Sequence, residues 1–297
     1  MVKVSVAVEG DKTLTTYLEV ASQMDGRGFY SLQFYEHVPY RPAWALAFSV
    51  AYHVRMLKLG PVTVPARLYS PKANARFLAL LDAISPGGVL GVSRGAYMDG
   101  EKARLREVVE TVEKIVDEYR RITWSTGGEP EIYVGTSGPL LAKTAASCQA
   151  VKAIVVDNLA NPDYVRRLRQ VIDQAGRRDL QLVARPFTCI SVDGEDVETE
   201  CLKELKKYLP DLVGDSPMVA AAGLRHEELR SDDPENERKM LESFAVCGDV
   251  EQVLEKTAKL VEAGADHICY GHPLSNQPVE AVRLIAGKII PYFAGRG

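Results

Sequence analysis

The regular exchange of two hydrophobic periods constrains this chain more than any other feature: short apolar runs alternate from end to end with amphipathic stretches of 3.6-residue period. Strand-like runs fall at Val2 to Val8, Tyr30 to Tyr35, Leu57 to Val62, Gly88 to Ser93, Glu131 to Thr136, Ala153 to Asp157, Gln181 to Phe187 and His267 to Tyr270. Helical patterns fill the gaps, clearest at Pro71 to Ile84, Glu101 to Ile122 and Pro162 to Ala175. Ser70-Pro71 and Asn161-Pro162 supply a capping side chain followed by a first-turn proline. Such pairing predicts an α/β fold, a (β/α)8 TIM barrel. The last unit is the plainest: a helix from Val250 to Glu262 ends at Gly264, a buried strand stops at Gly271, and a helix from Val279 to Ile290 covers it. Ligands of such barrels sit at the carboxyl ends of the strands, which puts Gly271, His272 and Pro273 on the working face.

The seventh unit departs from the pattern. Asp193 to Glu242 holds a charged helix, the small-residue run Val219 to Gly223 and the acidic segment Ser231 to Pro234, and reads as an insertion on the barrel. Phe244 to Cys247 then resumes the framework. The 297 residues, 46% hydrophobic, suit one barrel-sized core, so residues 1–297 are expected to form a single domain.

Charge and composition exclude several partners. Lys plus Arg is 36 against 40 Asp plus Glu, and a net charge of -4 offers no general attraction to nucleic acid or to an anionic membrane. No apolar run reaches the roughly 18 residues of a membrane span, and the start opens into a strand with no charged leader, so a cytoplasmic protein is expected. The five cysteines show no Cys-x-x-Cys spacing and are expected as buried free thiols, with no metal site.

Chemistry is sought at the strand ends. Glu36 and His37 follow the second strand, where a carboxylate and an imidazole can bond a heterocycle or relay a proton, or merely cap the next helix. Small residues around Ser93 leave room for a flat ring, and Arg94 can neutralise an anion or sit in a rim ion pair. Gly135-Thr136-Ser137-Gly138-Pro139-Leu140 carries the chain from the fifth strand into a helix, where backbone N-H groups suit a phosphate. Arg185 and His272, closing the seventh and eighth strands, are candidate substrate contacts.

In series, these segments resemble the bacterial-luciferase-like superfamily, and within it the methylenetetrahydromethanopterin reductases that use coenzyme F420. The likeness rests on Leu59-Gly60-Pro61 with Ser70-Pro71, Leu80 to Gly88 leading to Leu90-Gly91, Ile132 to Gly135 with Gly138-Pro139, and Phe244 to Asp249 with Ala263 to His267. The resemblance implies hydride exchange between a deazaflavin and a small organic substrate, such as a methylenetetrahydromethanopterin-type pterin. An FMN-dependent monooxygenase and a shortened non-catalytic paralogue are the alternatives. It also implies that Glu36-His37 is the acidic-His pair, that Val62-Thr63 is a non-prolyl cis peptide backing the ring, and that Gly135 to Leu140 holds the phosphate. Three departures stand out: Glu36 replaces the usual Asp, Val62 replaces a common Gly, and Ala7 lies where a Glu is usual, with Glu9 two residues on. Relatives associate through helices on the barrel flank, and Trp44, Ala45, Leu46, Phe48, Ala51 and Tyr52 predict an apolar face for a homodimer.

Overall fold

The computed structural model describes residues 2–95, 102–125, 128–194, 196–214 and 216–295. The strands are β1 (Lys3–Val8), β2 (Ser31–Phe34), β3 (Lys58–Pro61), β4 (Val64–Pro65), β5 (Leu90–Ser93), β6 (Ile132–Gly135), β7 (Val151–Asp157), β8 (Gln181–Arg185), β9 (Phe187–Ile190), β10 (Ala245–Gly248), β11 (His267–Tyr270) and β12 (Pro273–Leu274). The helices are α1 (Leu14–Met24), α2 (Ala43–Ala51), α3 (Pro71–Ile84), α4 (Leu105–Arg120), α5 (Pro139–Ala146), α6 (Pro162–Gln174), α7 (Val197–Val213), α8 (Pro217–Ala221), α9 (Pro234–Phe244), α10 (Val250–Glu262), α11 (Pro278–Leu284) and α12 (Ile290–Ala294). The expected helix start at Glu101 lies outside the described residues.

Nine strands form one parallel sheet in the order β3-β2-β1-β11-β8-β7-β6-β5-β4. β3 and β4 are two halves of one barrel strand, parted at Val62-Thr63, whose peptide bond is cis as the resemblance implies. The ends of the sheet meet where Leu59 bridges Gly88 and the Val89 N-H donates to the Leu59 carbonyl at 2.9 Å. Eight barrel strands result, each parallel step needing a crossover that the helices supply. Closure demands close backbone approach at Gly60, where a Cβ would fall 1.8 Å from the Val89 carbonyl oxygen.

The barrel interior is layered. Ala7, Val62, Val89, Tyr133, Val155 and Val183 belong to the apolar inner cluster, and a larger core lies between strands and helices. Nearer the amino ends, Tyr30, Tyr133 and Lys58 donate to the Glu131 carboxylate at 2.5 to 2.6 Å. Burial alone would raise the Glu131 carboxyl; bonds from Lys58, Tyr133 and Tyr30 outweigh it and leave the pKa lowered. His267 is fully buried beside Ser5, and desolvation pushes its pKa down to about 3, so it serves as a neutral imidazole.

The insertion comprises α7, α8 and α9 between β9 and β10. The sequence reading put Phe244 to Cys247 back into the barrel framework. Instead β10 pairs with β9, which also pairs with β12, in a separate three-stranded sheet ordered β10-β9-β12. β9 runs on directly from β8, so this small sheet extends the barrel upward on one side.

The apolar face expected on α2 is largely absent from the surface. Trp44, Leu46 and Ala51 are buried, Phe48 is half-buried, and Trp44 donates its indole N-H to Asn74 while packing on Phe77. Helix α3 covers the rings; only Ala45 and Tyr52 of the named residues are exposed, Tyr52 at 77%. All five cysteines are buried free thiols. Among the described residues no helix is long and apolar enough to cross a membrane.

Closure by close approach yields a prediction. Gly60→Ala should cost about 3 kcal/mol, because an overpacked backbone contact cannot be relieved by rotating a side chain. Gly287→Ala, in a helix with open space around the added carbon, should be neutral or slightly stabilising. Denaturant midpoints compare the two; equal midpoints would contradict this account of closure.

Candidate active site

The carboxyl ends of the strands surround a cavity of about 990 Å³. Its walls include Glu9 after β1, Tyr35 to Val38 after β2, Thr63 between β3 and β4, Ser93 and Arg94 at the end of β5, and the turn from Gly135 to Leu141 after β6. Asp157 and Asn158 close β7, Phe187 and His272 stand beyond β8 and β11, and Tyr208 with Asp211 to Gly214 of the α7 region line the remaining side.

The acid-base residues are paired differently from their sequence adjacency. His37 Nδ1 lies 2.9 Å from Glu9 Oε2, both side chains being largely buried. Glu36 turns the other way: its Oε2 accepts from the Ala43 N-H at 3.1 Å, at the start of α2. Glu36 therefore caps that helix while still edging the cavity, and the imidazole's carboxylate partner is Glu9. Burial raises the Glu36 carboxyl pKa, opposed by the Ala43 N-H, His37 and Tyr69.

Below the cavity, Gly91 and Gly135 face the Val62-Thr63 segment. A Cβ on Gly91 would come within 2.7 Å of the Val62 side chain, and one on Gly135 within 2.6 Å of Thr63 Cγ2. Two strand positions without side chains are thus what lets the segment bulge inward. Val62, expected to contact a cofactor, does not line the cavity; it is fully buried in the barrel interior, because alternation along the strand sends its side chain down and leaves Thr63 above.

Arg185 also lies away from the cavity. Expected to touch substrate, its side chain is 0% exposed and absent from the cavity wall. It is ion-paired with Asp157, donates to Gln33 Oε1 at 3.2 Å and to the Val62 carbonyl, and lies 4.4 Å from the centre of the Tyr35 ring. Burial opposes its charge, and Asp157 outweighs burial to keep it firmly protonated. Its position one residue before the rim, on a strand whose alternate residues point inward, explains the difference.

The turn after β6 is built to keep its backbone open. Thr136 Oγ1 accepts from the Gly138 N-H at 3.0 Å and donates to the Gly138 carbonyl at 2.9 Å. That hydroxyl, expected to meet a phosphate, is thus engaged in shaping the turn. Tyr164 donates to the Ser137 carbonyl at 2.8 Å, while the Ser137 hydroxyl has no partner among the described residues. Gly138 is the N-cap and Pro139 the first residue of α5, so the N-H groups of Leu140 and Leu141 have no intrahelical acceptor. Arg94, exposed, donates Nε-H to the Ala103 carbonyl at 2.7 Å and is not ion-paired among the described residues.

His272 precedes a cis proline and places Nε2 3.5 Å from Glu204 Oε2 of α7, the imidazole holding the Glu204 carboxyl below its ordinary range. Asp157, Asn158 and Tyr208 were missed. The first two close a readable strand, and Asn158 stands at a φ of 58°. Tyr208 lies in a polar helix with nothing in its neighbours to mark a cavity.

Glu36 supports a pH prediction. Its folded pKa is raised above the ordinary value of 4.5, so its contribution to stability is complete below that pH and is lost as pH rises through the folded pKa. The stability of the wild type relative to Glu36→Gln should therefore decline from acid toward neutral pH. A difference that grew with pH would show that the carboxylate, not the neutral acid, is favoured by the fold.

The sequence profile of the luciferase-like monooxygenase family matches residues 2–267. The chain is 24% identical to 5,10-methylenetetrahydromethanopterin reductase of Methanopyrus kandleri, covering 80% of this chain and 83% of that protein. Among solved structures, the coenzyme F420 dependent tetrahydromethanopterin reductase of the same organism superimposes with a TM-score of 0.81 at 19% identity, over 98% of this chain and 99% of the other. The oxygenating constituent of 3,6-diketocamphane monooxygenase from Pseudomonas putida, in complex with FMN, gives a TM-score of 0.72 at 17% identity over 98% of each chain. With a profile that spans nearly the whole barrel, the chain belongs to the luciferase-like family of oxidoreductases.

Proposed function

We propose that this protein is an F420-dependent oxidoreductase that exchanges a hydride with a small organic substrate, a methylenetetrahydromethanopterin-type pterin being the leading candidate. The observation that carries the reading is the open turn Gly135 to Leu140, which faces the same cavity as Thr63, Ser93 and the Glu9-His37 pair. The donor set fits the cofactor: N-H groups at the start of α5 and the Ser137 hydroxyl suit a phosphate, and the small side chains of Thr63 and Ser93 stand at the adjacent strand ends. When bound, the deazaflavin would supply the hydride-carrying carbon.

The chain's own part is orientation and proton handling. Thr63 forms the floor, with the Val62 carbonyl held from beneath by Arg185. Glu9 Oε2 stands 2.9 Å from His37 Nδ1, and this pair, which lines the cavity, can give or take a proton there. Phe187, Tyr208 and Leu212 line the same cavity and give it aromatic and apolar walls. The FMN-dependent alternative is supported by the structural likeness to the FMN-bound monooxygenase, since FMN also carries a phosphate.

Titration of the purified protein with F420 and with FMN separates the two readings. F420 should saturate the protein, and Gly138→Val should weaken it by about tenfold, or 1.4 kcal/mol. That variant should fold, since the added Cβ meets only Pro217 at 3.8 Å. His37→Asn should keep the affinity and lose most of the turnover. Unchanged affinity in folded Gly138→Val, or saturation by FMN alone, would reject the F420 assignment.

The same reading includes a cytoplasmic homodimer. Its remaining support on the α2 flank is Tyr52 with the neighbouring exposed Met56, a smaller patch than the sequence suggested. Light scattering should give twice the 32.6 kDa chain mass, and a single species at the chain mass over a wide concentration range would remove the dimer.

A further inference from the structure

The cavity is electrically divided, and the strand order shows where. Its only Lys and Arg lining residues among those described are Arg94, Lys102 and Arg167. They stand after β5 and on α6, beside the turn that follows β6, so all three belong to the β5-β6-β7 arc. None is ion-paired among the described residues, and each is exposed. The opposite arc, β2-β1-β11-β8, carries the carboxylates of Glu9 and Glu36 together with His37 and His272, and Glu204 of α7 stands behind His272. Asp211 of α7 adds a further carboxylate to the wall, in an exposed ion pair with Arg230 at 3.4 Å. Asp157, which ends β7 and lines the cavity on the basic arc, is paired with the buried Arg185, and Lys207 lies over the Tyr208 ring at 4.4 Å without lining the cavity.

The second arc is also a wall of rings. Tyr35 stacks on His37 at 6.1 Å, Tyr208 meets His272 edge-on at 5.8 Å, and His272 meets Phe187 at 6.5 Å. Tyr40 links the two groups: it lies 5.9 Å from His37, and its hydroxyl is 3.4 Å from that of Tyr208. Ring faces and edges favour a flat guest, and carboxylates gathered in a half-enclosed site repel an anion.

We infer that this arc is the substrate subsite and that the part of the substrate entering it is a flat, uncharged or cationic ring, carboxylates and phosphates being turned away to the basic arc. The inference rests on the proposed function only in giving the basic arc to the cofactor's anionic arm. Its chemistry would hold for any substrate that meets the Glu9-His37 pair.

Benzamidine, benzamide and benzoate share one shape and carry a positive, a zero and a negative charge. Their binding to the full-length protein, alone and saturated with F420, can be followed by ligand-observed NMR. Benzoate should bind F420-saturated protein at least about tenfold more weakly than benzamide, with benzamidine tightest of the three, as expected of like-charge repulsion. Glu9→Gln should narrow the gap between benzoate and benzamide, while Tyr208→Ala should weaken all three together. Benzoate binding as tightly as benzamide, or no binding of benzamide and benzamidine to either form, would overturn the inference. Failure of F420 to bind while the charge order persists in the unloaded protein would instead reject the cofactor reading and leave the subsite standing.

Discussion

The upper half of the barrel depends on one buried cation. Arg185 lies in an apolar interior where an isolated charge would be prohibitive, and it is tolerated because Asp157 on the neighbouring strand supplies the opposite charge. Its remaining contacts tie three further places together: Gln33 in β2, the Tyr35 ring, and the Val62 carbonyl where β3 gives way to β4. Removing the guanidinium would leave Asp157 uncompensated and the Val62 carbonyl without its donor. Breaking such a pair from one side typically costs about 3 to 5 kcal/mol, far more than an exposed ion pair contributes.

With that segment held from below, the absence of side chains at Gly91 and Gly135 permits it to bulge inward, and Thr63 becomes the floor of the cavity. What stands above the floor follows from strand order. Strands β5, β6 and β7 bring the helix N-terminus and the basic residues to one side; β2, β1, β11 and β8 bring the imidazoles, carboxylates and rings to the other. The groups stand near the carboxyl ends of the strands, on the segments and helices that follow β5 and β7, or, for α7, on the insertion packed against the β9-β10 ribbon. Function in this fold is thus a matter of which residue ends each strand.

Much of this is legible in the amino-acid sequence. The alternation of periods announced all eight barrel strands, and the turn after β6 was readable because Gly138-Pro139 marks a helix start with an open backbone. Pairing was not legible. Sequence adjacency joined Glu36 to His37, whereas successive residues beyond a strand point apart, and the carboxylate that meets the imidazole comes from Glu9, on the neighbouring strand. Arg185 and Val62 were misplaced for a related reason: at a barrel rim, one residue decides between cavity and core, and boundaries read from periodicity are uncertain by more than that. The α2 rings looked like an interface because their cover, Phe77 of α3, is distant in sequence. β10 looked like a barrel strand because a short apolar run does not say which sheet receives it.

The central claim is that the anionic arm of a deazaflavin rests on the turn Gly135 to Leu140, with its ring over Thr63. A crystal structure of the protein grown with F420 tests this most directly. The account predicts phosphate density within hydrogen-bonding distance of the Leu140 N-H and the Ser137 hydroxyl, and a ring lying between Thr63 and His37. Phosphate density elsewhere, with this turn facing solvent, would contradict it.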